Sequence, residues 1–209
     1  MEDFVKSEWD TLCLRYSSDG ELIQQLWHEL EKAYTARNRH YHNLDHIAYM
    51  LELADRYKVE STEFDLLLFA IFYHDIVYKS SHSDNEEQSA VMAEARLRRL
   101  GIPESDISMV KEMIIATKAH QEHTNGLINL LLDLDLAILG ADKERYDRYS
   151  LGVRKEYSIY PELIYKPGRR KVLQHFLSQD QIYKTPAFQK EFEENAEANL
   201  QRELERYNN

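Results

Sequence analysis

Apolar residues recur at spacings of three and four along almost the whole chain, and alternating apolar and polar positions are scarce. A repeat near 3.6 residues is typical of amphipathic helices, whereas alternation is typical of strands. The pattern therefore predicts an all-α protein. Its ten predicted helices cover residues 3–16, 20–36, 43–57, 61–78, 83–101, 103–120, 126–140, 142–158, 161–178 and 186–206.

Several predicted boundaries carry residues that cap helices. Asn43 and Thr62 are suited to the N-cap, where a side-chain oxygen accepts a hydrogen bond from a free backbone N–H. The segment over 83–101 has an Asp or Asn to cap its helix, acids in the first turn, arginines in the last, and Gly101 at the C′ position. These positions favour the proposed starts and ends.

The helix over 61–78 is apolar on all sides, which predicts a buried helix rather than a surface one. Near its end the stretch "FYHDIVY" places His74 and Asp75 side by side. A buried aspartate is costly unless it is paired or bound to a metal ion. The pair therefore suggests a metal site.

Other histidines and carboxylates compete for the same function. The segment "RHYHNLDH" contains His40, His42 and His46, and the last two share a helical face if that helix extends back to residue 42. Further candidates are Asp133, Asp135, His120 and His123. Imidazole with carboxylate suits Mn²⁺, Fe²⁺, Zn²⁺, Ni²⁺ or Co²⁺ better than Ca²⁺.

The order His46, His74-Asp75, Asp135 resembles the HD superfamily of metal-dependent phosphohydrolases. The motifs "RHYHNLDH", "FYHDIVY", "SDNEEQSA", "TKAH" and "DLDLAILG" are similar to the bacterial group of predicted metal-dependent HD phosphohydrolases, and so is the segment over 153–185. The resemblance implies one HD-type helical bundle over 1–209, with a metal-site core over about 39–140 and additional C-terminal helices over about 142–209.

The resemblance implies that His46, His74, Asp75 and Asp135 bind one divalent transition metal ion. Asp133 is the competing choice to Asp135 in the same helix. Such an ion lowers the pKa of a bound water, whose hydroxide form attacks phosphorus. A second metal is disfavoured, because this interval lacks the run of histidines found in dinuclear phosphodiesterases of the superfamily.

The implied activity is hydrolysis of a phosphate ester, either a nucleotide or another small phosphorylated metabolite, with mono- and diesters both open. Asp75 is expected to take part in catalysis as well as in metal binding. Glu86 is the candidate for proton transfer, with Glu87 as an alternative; acids there also complement the helix dipole. The expected substrate-binding residues are Arg39, His42, His120 and Arg169.

Two other functions stay open from the sequence. One is a non-catalytic module that uses the same pocket to sense a nucleotide. The other is a di-iron oxygenase of the HD superfamily, which needs further inward histidines from among His82, His120 and His123. The complete set of four ligands disfavours the first, and the scarcity of histidines after Asp75 disfavours the second.

Charge and composition limit the kinds of partner that this protein is expected to bind. With 26 basic and 37 acidic residues, the net charge of −11 argues against duplex nucleic acid or anionic membranes. A single cysteine, the absence of a signal-peptide pattern and the absence of an apolar run of about 18 residues predict a cytoplasmic protein without a membrane span. The expected partner is a small phosphorylated substrate, and a homodimer through apolar faces of the first and last helices is left open.

Overall fold

A computed structural model describes residues 1–58 and 63–207. In this part of the chain the secondary structure consists of α-helices and one short 3₁₀ helix, Ala137–Gly140, with no strand, which confirms the all-α prediction. The helices are α1 (Glu2–Cys13), α2 (Gly20–Tyr34), α3 (Leu44–Arg56), α4 (Phe64–Tyr73), α5 (Asn85–Arg99), α6 (Glu104–Ala116), α7 (Gly126–Leu136), α8 (Lys143–Glu156), α9 (Glu162–Leu177) and α10 (Pro186–Arg206).

None of the helices in the described residues has both the length and the apolar character needed to cross a membrane.

The chain forms two compact units, Met1–Leu131 and Leu132–Asn209, here called the N-terminal and C-terminal units. The boundary falls inside α7, close to the C-terminal end of the metal-site core expected from the sequence. The expectation of a single HD-type domain over 1–209 stays a prediction.

Helix α4 forms the core of the N-terminal unit. It contacts α3, α5 and α6, and eight of its ten residues are buried, as its uniformly apolar sequence predicts. The indole ring of Trp9 packs edge-on against Phe69, Phe72 and Tyr73, and its Nε1–H donates to the Ile23 carbonyl at 3.2 Å. The helix is therefore held by apolar contacts on several sides.

The predicted continuation of α4 to residue 78 is wrong, because the helix ends at Tyr73 and His74 is its C-cap. Two side chains form hydrogen bonds with backbone carbonyls at this end. His74 bonds the Ile71 carbonyl at 2.9 Å, and Arg39 donates to the carbonyls of Asp75 and Ile76 at 2.7 and 2.9 Å. The last carbonyls of a helix lack helical partners, so these bonds stabilise the helix end and the turn after it.

The capping predictions can be compared with the helix ends. Asn43 caps α3, and its side chain accepts hydrogen bonds from the N–H groups of Asp45 and His46. Asp84 is the N-cap of α5, and Gly101 follows its C-cap with φ +81°, the left-handed conformation that favours glycine. The predicted cap Thr62 lies outside the described residues.

In the C-terminal unit, α10 packs against α9 and against the 3₁₀ helix. Gly140 allows this approach, because a Cβ there would lie 2.5 Å from the Phe192 carbonyl oxygen. The Asn199 amide donates to the carbonyls of Leu139 and Ala141 at 2.9 and 2.8 Å. Helix α10 is thus docked by both close packing and specific hydrogen bonds.

Candidate metal centre

Three predicted ligands converge in the N-terminal unit. His46, His74 and Asp75 each offer one donor atom, and these atoms lie within 4.8 Å of one another. The two Nε2 atoms are 3.4 Å apart, and Nε2 of His74 is 3.3 Å from Oδ2 of Asp75. His46 comes from the first turns of α3, and the other two come from the end of α4 and the turn after it. Both histidines are buried, and Asp75 is mostly buried.

Hydrogen bonds orient both imidazole rings. Nδ1 of His74 lies 2.9 Å from the Ile71 carbonyl, which only accepts, so Nδ1 carries the proton. In the neutral ring, Nε2 then presents its lone pair to the cluster. Nδ1 of His46 lies 3.1 Å from the Tyr41 hydroxyl, and when that hydroxyl accepts, Nε2 of His46 presents a lone pair as well.

The donor set fits a divalent transition metal ion. Two neutral imidazole nitrogens and a carboxylate oxygen are the ligand types that such ions bind. A proton on Nε2 of His74 would form a hydrogen bond with one neighbouring atom at a time, whereas a metal ion can bind all three ligand atoms. Atoms bound at about 2.1 Å lie about 3.0 Å apart at an octahedral right angle and about 3.4 Å apart at a tetrahedral angle. The observed 3.3 and 3.4 Å agree with these separations.

Arg39, which was expected to bind substrate, is buried next to the turn that follows α4. Its guanidinium donates to the carbonyls of His42, Asp75 and Ile76 at 3.0, 2.7 and 2.9 Å. It also lies over the Tyr34 ring at 5.0 Å from the centroid. These bonds join the segment before α3 to the segment after α4, and so Arg39 holds two ligand-bearing segments together.

His42, also expected to bind substrate, lies beside the cluster. Its Nε2 is 3.9 Å from Oδ2 of Asp75, and its ring stacks on Tyr78 with centroids 4.1 Å apart. Helix α3 begins at Leu44, so His42 precedes the helix, and the condition for a helical face shared with His46 is not met. His42 reaches the cluster through the turn before Asn43 instead.

The start of α5 is tied to the segment after Asp75. Ser89 Oγ accepts from the Val77 N–H at 3.1 Å, and the Asn85 amide bonds both the N–H and the carbonyl of Lys79. The candidate base Glu86 lies in this first turn and is partly buried. Its neighbour Glu87 forms an ion pair with Lys118, which lowers the pKa of the Glu87 carboxyl.

His120 lies in the loop that follows α6 in the N-terminal unit. It is partly buried and has φ +49°, an uncommon conformation for a residue with a side chain. Two residues earlier, Lys118 donates to the Ser83 carbonyl at 2.7 Å. This bond ties the end of α6 to the start of α5, and the structure thus connects the two segments that carry Glu86 and His120.

Asp133 and Asp135 both belong to the C-terminal unit, and Asp133 has a structural function there. Its carboxylate is fully buried and accepts from the N–H groups of Lys184 and Thr185 and from the Thr185 hydroxyl, each at 2.7 Å. Burial raises the pKa of Asp133, and these bonds act in the opposite direction. Asp135 is partly buried, and its assignment as a ligand stays a prediction from the sequence.

Arg169, the fourth expected substrate-binding residue, is buried in α9 of the C-terminal unit. Its guanidinium makes a two-point ion pair with Glu203 at 2.8 and 3.0 Å and bonds the Tyr149 hydroxyl at 3.3 Å. Tyr146 donates to the same Glu203 carboxylate at 2.6 Å. These contacts give Arg169 a structural function within its own unit.

Two positioning groups were not assigned from the sequence. One is the Ile71 carbonyl in the last turn of α4, which His74 reaches from the C-cap position three residues later. The other is the Tyr41 hydroxyl, which lies 3.1 Å from His46 Nδ1. In the turn before α3 it orients a candidate ligand.

Comparison of the chain with protein-family models, curated proteins and solved structures finds no match. The resemblance to HD phosphohydrolases therefore rests on the sequence motifs.

Proposed function

We propose that this protein is a metal-dependent phosphohydrolase that acts on a small phosphate ester and uses one divalent transition metal ion. The observation that carries the proposal is the convergence of His46, His74 and Asp75, with donor atoms within 4.8 Å of one another in the N-terminal unit. The sequence motifs around these three residues support phosphate chemistry. The ion is proposed to be Mn²⁺, Fe²⁺, Zn²⁺, Ni²⁺ or Co²⁺.

When bound, such an ion supplies a Lewis acid and a water of lowered pKa. The chain's own residues provide the orientation. The Ile71 carbonyl directs Nε2 of His74 toward the cluster, and Tyr41 does the same for His46. Arg39 fixes the backbone on both sides of the cluster, and we assign it to this positioning function rather than to phosphate.

Glu86 is proposed to accept a proton from the attacking water, because it lies on the α5 turn tied to the Asp75 segment. His42 and His120 are proposed to contact the phosphate. Support for His42 comes from the stacking of its ring on Tyr78 and from the 3.9 Å between its Nε2 and Oδ2 of Asp75. Asp135 is proposed as a further metal ligand on its sequence motif alone.

The first test is elemental analysis of the full chain purified without added metal, beside Asp75→Asn. We expect about one equivalent of a divalent ion in the wild type and its loss in Asp75→Asn, since one carboxylate ligand is removed. The matched control is Asp45→Asn, an exposed aspartate one residue from His46, which should keep its metal. Asp135→Asn, measured in the same series, tests the fourth ligand.

The second test is release of product from p-nitrophenyl phosphate and bis-p-nitrophenyl phosphate with the ion so identified. We expect turnover of at least one ester by the wild type and by Asp45→Asn, and none by Asp75→Asn. Metal binding with nucleotide binding but without turnover of any ester contradicts the proposal and supports the sensing module. Two equivalents of iron with oxygen uptake also contradict it and support an oxygenase.

A further inference from the structure

Helix α9 exposes aliphatic side chains beside basic ones. Leu163 is 90% exposed and Ile164 is 60% exposed, which is unusual for large apolar residues on a helix. Leu163, Lys166, Arg170 and Leu177 are spaced by three, four and seven residues, so they follow one face of the helix. This α9 face therefore begins with a projecting leucine and continues with two cations.

A groove of about 510 Å³ lies at the other end of the same face, between the end of α9 and the middle of α10. Its apolar lining includes Phe176, Leu177 and Ile182, and its acidic lining is Glu194 and Glu197. Within the described parts of the chain, neither Arg170 nor Glu194 forms an ion pair. The groove thus offers apolar contact beside two negative charges.

We propose that the C-terminal units of two copies of this chain associate, with Leu163 of each copy inserted into the α9–α10 groove of the other. The cations Lys166 and Arg170 follow Leu163 on its face, and the anions Glu194 and Glu197 line the groove. The α9 face that carries Leu163 and the α9–α10 groove are thus complementary in both apolar character and charge. Because each copy has both parts, a two-fold axis lets the two contacts form together and closes the assembly.

A second copy fits better than the other occupants of such a surface. An anionic lipid surface would attract the cations of α9. It would repel Glu194 and Glu197, and the net charge of −11 also opposes its binding. The proposal concerns α9 and α10 and does not depend on the phosphohydrolase activity. It also places the contact on α9, whereas the sequence left open a dimer through the first and last helices.

The test is sedimentation equilibrium of the full chain from low to high micromolar concentration, for wild type and Leu163→Asp. We expect a concentration-dependent dimer for the wild type and at least about tenfold weaker association for the variant, because a carboxylate would enter the apolar groove. The variant should stay folded, since Leu163 is exposed and an acid in the first turn complements the helix dipole.

Leu151→Asp is the matched control, because Leu151 is a leucine 63% exposed on α8. It should associate like the wild type. A charge-reversal cycle sharpens the test: Glu194→Lys with Glu197→Lys should weaken the dimer, and adding Lys166→Glu with Arg170→Glu should restore it. A wild type that stays monomeric at every concentration, or a Leu163→Asp variant that dimerises normally, overturns the proposal. Monomers that bind anionic vesicles through Leu163 overturn it in favour of a lipid surface.

Discussion

Two buried clusters of ionisable side chains, one in each unit, differ in how their charges are balanced. In the C-terminal unit, Arg169 donates two hydrogen bonds to Glu203, and Tyr146 donates a third. In the N-terminal unit, the atoms that converge are two imidazole nitrogens and a carboxylate oxygen. The first cluster contains an arginine as its cation, whereas the second brings together three atoms of the types that bind metal ions.

The difference shows how a binding site can be told from a structural network. Burial acts to raise the pKa of the Glu203 carboxyl, yet its bonds with Arg169 lower that pKa below the usual range for a glutamate. In such a pair each charge is balanced by its partner, and removing either partner would destabilise the unit. The atoms of the N-terminal cluster are of the types that bind divalent transition metal ions, which is the basis of the metal site proposed here.

The largest expected effect comes from breaking the complete pair. Glu203→Gln should reduce the free energy of unfolding by about 3–5 kcal/mol, because it leaves the buried Arg169 charge without a counter-charge. Chemical denaturation of the full chain, followed by circular dichroism, measures this loss. The exposed Glu205→Gln on the same helix is the control and should change stability little. A loss no greater than that of the control would show that the pair is not structural.

Binding of a metal ion to the proposed site should give the next largest effect. A metal ion at about 100 times its dissociation constant should stabilise the wild type by about 2.7 kcal/mol, because the ion binds the folded cluster. Thermal unfolding with and without the ion measures this gain. His74→Ala should abolish it, whereas His28→Ala, an exposed histidine on α2, should keep it. An equal gain in His74→Ala would place the metal elsewhere.

A smaller effect is expected from the hydroxyl that orients His46. Tyr41→Phe removes the group 3.1 Å from Nδ1 of His46 and should weaken metal binding about tenfold, because the ring loses its hydrogen-bond partner. Calorimetric titration with the ion found by elemental analysis measures the change. Tyr160→Phe in the C-terminal unit is the control. Unchanged affinity in Tyr41→Phe would leave Tyr41 as a packing residue only.

The smallest effect is the pH dependence of the complete pair. Since the pKa of Glu203 is lower in the folded protein than in the unfolded chain, its ionised form stabilises the fold above the unfolded pKa of a glutamate, about 4.3. This contribution is lost as the pH falls through the lower folded pKa. Denaturation from neutral to acidic pH should thus show the difference between wild type and Glu203→Gln narrowing only at acidic pH. A difference that stays constant into that range would contradict the assignment.

Local sequence patterns predicted much of this protein. Helix spacing, the Asn43 cap and the glycine after α5 are encoded within a few residues, and the structure has them where they were expected. The uniformly apolar run of α4 predicted a buried helix, and the His74-Asp75 pair directly after it pointed to the cluster that the structure contains. Helix ends were harder to predict: α4 stops at Tyr73, and the carbonyls that follow bind Arg39, which is distant in the sequence.

The sequence by itself determined the all-α class and which histidines and carboxylates were candidates, because helix formation and burial follow from local periodicity. Only the tertiary structure decided which candidates meet and which are already paired. It brings His46 to His74 and Asp75, binds Asp133 to the start of α10, and pairs Arg169 with Glu203. These outcomes depend on contacts between residues far apart in the chain, and side-chain geometry across helices is not written in any local pattern.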